Sequence, residues 1–76
     1  MPDRDALVHE ASELLVLYRD LARLAPGEVD GMGVAIGRAL EALDLRETRE
    51  TLDSAALQLA AVRETLARVR RTLDKQ

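Results

Sequence analysis

An all-α, three-helix antiparallel bundle with a long C-terminal helix, assembled as a homodimer or higher helical oligomer, is predicted by three observations. Leucine recurs every seven residues at Leu45, Leu52, Leu59, Leu66 and Leu73, the spacing of one apolar seam along a helix. No glycine or proline follows Gly37, so nothing in the second half of the chain breaks a helix outright. Fourteen leucines and twelve alanines dominate the apolar content, and Tyr18 is the only aromatic residue. Leucine and alanine are strong helix formers, whereas the residues that favour strands are scarce.

The oligomer follows from size. A chain of 76 residues forms one domain, 1–76, whose core is marginal unless a disulfide, a metal or a partner subunit adds stability. Cysteine is absent and His9 is the single histidine, which excludes disulfides, thiolate sites and multi-histidine sites within one chain. Self-association is the remaining route.

The first helix is expected over 4–24, with Asp3 and Asp5 near its positive end. Leu7, Ala11, Leu14, Tyr18 and Leu21 form its central stripe, flanked by Leu17 and Leu24 on one side and Leu15 and Ala22 on the other. That face is about twice the ~100° needed for one contact, so this helix should be covered from two sides.

Ala25-Pro26-Gly27 is the strongest punctuation in the chain. So short a link returns the second helix antiparallel to the first. Its expected range is 28–43, although Gly27, Gly31 and Gly33 each cost about 1 kcal/mol inside a helix and leave its start open as far as Val34. Val29, Met32, Ile36, Ala39, Leu40 and Leu43 form its stripe. Continued past Leu43, that stripe meets Arg46, Glu47, Glu50 and Ser54. The leucine series resumes at Leu45, about 200° around a continuous helix from Leu43. This change of buried face predicts a turn at 44–46, with Asp44 and Glu47 as an imperfect capping box.

The third helix is then expected over 46–74, about 43 Å long, so that part of it projects beyond its bundle or meets a second subunit. Its predicted interaction seam comprises Leu45, Leu52, Leu59, Leu66, Leu73, Val62 and Val69. The companion rail reads Thr48, Ala55, Val62, Val69 and Gln76, weaker than a self-sufficient coiled coil requires. Arg49, Arg63 and Arg70 flank the seam on one side, and threonine and glutamine on the other. Neither simple zipper pairs opposite charges there, so these arginines are better placed opposite acids of the first helix such as Glu10, Glu13 and Asp20, in the same chain or in a neighbour. Leu57 and Ala61 lie off the seam, which suggests a second covered side.

Candidate sites are few. Asp5, His9 and Glu13 stand four residues apart, but on the side opposite Leu7, where they read as an exposed polar face. Gly31, Gly33 and Gly37 lack the spacing and the preceding strand of a phosphate-binding fingerprint; close helix packing explains them better. Arg63, Arg68, Arg70, Arg71 and Lys75, against Glu64 and Asp74, give the C-terminal end a local charge of +3. They are candidate phosphate contacts, although cations there also complement the helix dipole.

Overall charge is −3, with the first 43 residues acidic and the rest slightly basic, a gradient suited to helix pairing. No catalytic constellation, cofactor motif or metal set emerges, and neither a signal peptide nor a membrane span is evident. The expectation is a soluble cytoplasmic protein, not an enzyme, whose partners are copies of itself and possibly another helical protein. A nucleic-acid-associated dimer using the basic helix end is the alternative.

Overall fold

The computed structural model describes residues 3–75. Three helices, α1 (Arg4–Leu24), α2 (Met32–Leu45) and α3 (Arg49–Asp74), are joined by a single 3-10 turn, Pro26–Glu28, and a short extended link. No strand is present among the described residues. Among the described residues no helix is long and apolar enough to cross a membrane.

Asp3 starts α1 from an extended backbone, its carboxylate accepting the amide of Ala6 at 3.0 Å. That bond satisfies one of the amides that a helix start leaves without a partner. At the other end Pro26 disfavours helical geometry in Ala25, which sits at φ −146°, ψ 68° while its amide still bonds the Leu21 carbonyl.

The second helix starts at Met32 rather than at residue 28. Residues Pro26–Glu28 form their own 3-10 turn, and Gly31 adopts φ +85°, a left-handed conformation that suits glycine and stops an α-helix from running through. Between them Val29 is buried and belongs to the core cluster.

The break between α2 and α3 falls at 46–48, not at 44–46. Two contacts hold it there. Arg4 donates from Nε to the Leu43 carbonyl at 3.0 Å, and its guanidinium lies 3.7 Å from the Asp44 carboxylate. This places the start of α1 against the end of α2 and gives a terminal carbonyl a charged donor. Thr48, rather than Asp44, caps the third helix: its hydroxyl oxygen accepts the Thr51 amide at 3.2 Å.

Each helix packs on the other two. Glu10 meets Arg63, and Leu24 lies beside Val69 and Leu73, so α1 and α3 run the same way with α2 antiparallel between them in chain order. The core is wholly apolar: among the described residues no polar or charged side chain is buried. Ile36, Leu43, Leu59 and Leu66 are its largest fully enclosed members besides Val29. With 26 residues against 21, α3 outruns α1 by about 8 Å.

Candidate functional site

The leucine series divides when mapped onto the fold. Leu59 and Leu66 are fully enclosed within their own chain, and Val62 and Val69 beside them are buried. Leu52 and Leu73 are half-buried against the ends of the same core. Leu45 does not belong to the seam. It occupies the last position of α2 and is 74% exposed, because the helix continues two residues past Leu43 and carries Leu45 to the outer face. The seam is therefore spent on intramolecular packing, and its buried members are unavailable to a partner.

Leu57 and Ala61 were expected under a second cover; both are exposed on the chain by itself. Of the broad face of α1, Leu15, Leu17, Tyr18 and Ala22 pack against the core cluster within the monomer, and Leu24 alone of its flanking leucines stays exposed.

The basic residues do not share a stripe. At 100° per residue, Arg63 and Arg70 project about 20° apart, whereas Arg68, Arg71 and Lys75 cluster on another side. Arg63 is engaged, donating to Glu10 at 2.9 Å, as the charge pattern of the first helix suggested. Glu64 lies on the side of α3 that carries Arg68, Arg71 and Lys75 and reduces its positive charge. As phosphate contacts these residues would act as separated point charges rather than as one electrostatic track.

His9 and Glu13 pair at 2.6 Å on the open surface, with His9 77% exposed along its side chain. Asp5 stays out of that pair and lies 3.8 Å from Arg4. The described residues contain no group of three or more ligand-type side chains able to hold a metal ion. The glycines also separate by role. A Cβ on Gly33 would approach the Tyr18 ring to 2.9 Å, while one on Gly37 would meet nothing within 4 Å. Close packing is real at Gly33, against a side chain rather than a backbone, and Gly37 borders open space.

A cleft opens at one end of the bundle. Where α1 ends at Leu24, the last turns of α3 wall this cleft of about 280 Å³. Leu24 and Ala25 form one side, Glu28 of the 3-10 turn closes the end, and Arg68, Val69, Thr72 and Leu73 form the other side. Val69 is buried and Leu73 half-buried, but Leu24 is 72% exposed. The Thr72 hydroxyl donates to the Arg68 carbonyl, which leaves Glu28 and Arg68 as the charged groups facing outward.

No family model, curated protein or solved structure matches this chain.

The cleft itself must then carry the reading. Its volume lies below the range of roughly 300–1,000 Å³ usual for small-molecule sites, and its two charges have opposite sign instead of converging on one ligand group. It suits an apolar side chain framed by ion pairs. Of its residues, Val69 and Leu73 belong to the predicted interaction seam, Arg68 to the candidate phosphate contacts, and Leu24 only to the flank of a stripe. The available signal was position: a leucine directly before Ala25-Pro26 has no following helical turn to cover it.

Proposed function

We propose that this protein is a small helical-bundle interaction module that self-associates and serves as an adaptor or accessory subunit, acting by binding rather than by catalysis. The observation that carries this reading is Leu24, largely exposed and set beside a partly apolar cleft at the end of the bundle. A large aliphatic side chain exposed next to a concavity gains from burial, at about 25 cal/mol per Å² of apolar surface removed from water. An 8.4 kDa chain without cysteine has added reason to bury such surface, because small domains gain much of their stability from staples or partners.

Light scattering across a wide concentration range tests the reading. The mass should rise from 8.4 kDa toward twice that value as concentration increases. A mass fixed at the monomer value throughout overturns it.

A further inference from the structure

We infer that the cleft at the end of the bundle is a two-fold contact between copies of this chain, each Leu24 seating in the partner's cleft and each Glu28 facing the partner's Arg68. The inference rests on the self-association proposed above and adds the surface, the geometry and the residues that set it.

Among the described residues five large apolar side chains are exposed: Val16, Leu24, Val34, Leu45 and Leu57. Val16 lies among Ser12, Glu13, Arg19 and Asp20, and Arg38 and Glu41 stand between Val34 and Leu45. Isolated apolar side chains in charged surroundings are ordinary surface. Leu57 with Ala61 makes a slightly larger patch, but it is a convex ridge bordered by Asp53 and Glu64. Of these five, Leu24 is the one that lines the cleft, so one copy of the chain supplies both an exposed apolar side chain and the recess beside it.

The charges select the occupant. A two-fold contact is isologous: where residue i of one copy meets residue j of the other, j also meets i. A surface bearing one acid and one base can then complement itself. Glu28 and Arg68 line the same cleft, both are exposed, and neither forms an ion pair among the described residues. Two copies related by a two-fold axis through the cleft mouth can make the Glu28 to Arg68 link twice, around a centre formed by two leucines. A uniformly acidic or basic partner would meet attraction at one of these groups and repulsion at the other.

The test uses charge reversal and mixing, read by sedimentation velocity. Glu28→Arg and Arg68→Glu each place like charges opposite one another across the contact and should weaken the dimer by roughly tenfold or more. An equimolar mixture of these two single variants should recover association as a heterodimer, and the double variant should recover the homodimer. Leu24→Asp should abolish the dimer, while Leu57→Asp should leave it intact. All four positions are solvent-exposed, and unchanged thermal melts of the dilute variants verify that the fold is kept.

A wild-type dimer indifferent to Leu24→Asp and to both reversals would overturn this surface and leave self-association standing. Single variants that weaken the dimer but fail to recover on mixing would show that the charges act within one chain, which also overturns the inference. A wild-type chain monomeric at every concentration removes self-association itself and leaves the cleft to a different occupant.

Discussion

Tyr18 lies against α2 where Gly33 presents no side chain. The ring occupies the space that a Cβ would need, with the nearest approach 2.9 Å, whereas Gly37, one turn later, faces nothing within 4 Å. Both glycines lie inside a helix, so alanine at either position gains about 1 kcal/mol of helix propensity. At Gly37 that gain should appear in full as a higher denaturation midpoint. At Gly33 it should be reduced or reversed, because the ring must move to admit the methyl group. In a Tyr18→Ala background the two substitutions should become equivalent; a persisting gap between them would refute the steric account. The periodic stripe identified Tyr18 as core-facing, and the glycine spacing pointed to close packing. Which glycine received the ring was not legible, because it depends on the relative height of two helices.

At the scale of elements, the identity of the three helices is written in apolar spacing and punctuation, while the location of the second break is not. The stripe ending at Leu43 does change face before Leu45, but a chain can resolve that change in two ways. It can turn at once, or let the old helix run on and leave Leu45 in solvent. The second outcome occurs because Arg4, far away in sequence, binds the Leu43 carbonyl and approaches Asp44, and because Thr48 supplies a hydroxyl cap at the start of α3. Neither tertiary contact can be inferred from a local pattern. The consequence is a seven-residue series whose members are energetically unequal. Leu66→Ala should cost about 2–5 kcal/mol, as expected for a fully buried leucine, and Leu45→Ala should change stability by no more than about 0.5 kcal/mol. Equal losses in urea titrations would mean that Leu45 is buried after all. Leu59, equally enclosed, should not tolerate aspartate in any assembly state, since an unpaired charge there has no solvent and no partner.

For the whole molecule, the place where α1 gives way to the 3-10 turn matters more than the seam. The core closes within one chain, so the leucines that first suggest a zipper stabilise the monomer, and the surface proposed for partnership lies where α1 ends. This is why the candidate site was scarcely visible in the sequence: its residues come from 24–28 and 68–73, and only the packed bundle brings them together. The unmatched arginine flank was more informative: of the arginines expected opposite Glu10, Glu13 and Asp20, Arg63 pairs with Glu10, and among the described residues Arg49 and Arg70 do not join it in such a pair. Comparison of amide NMR spectra of the uniformly labelled protein at low and high concentration tests the central claim most directly. The account predicts concentration-dependent shifts confined to the stretches 24–28 and 68–73. Spectra unchanged by concentration, or shifts centred on the outer faces around Leu45 or Leu57, would contradict it.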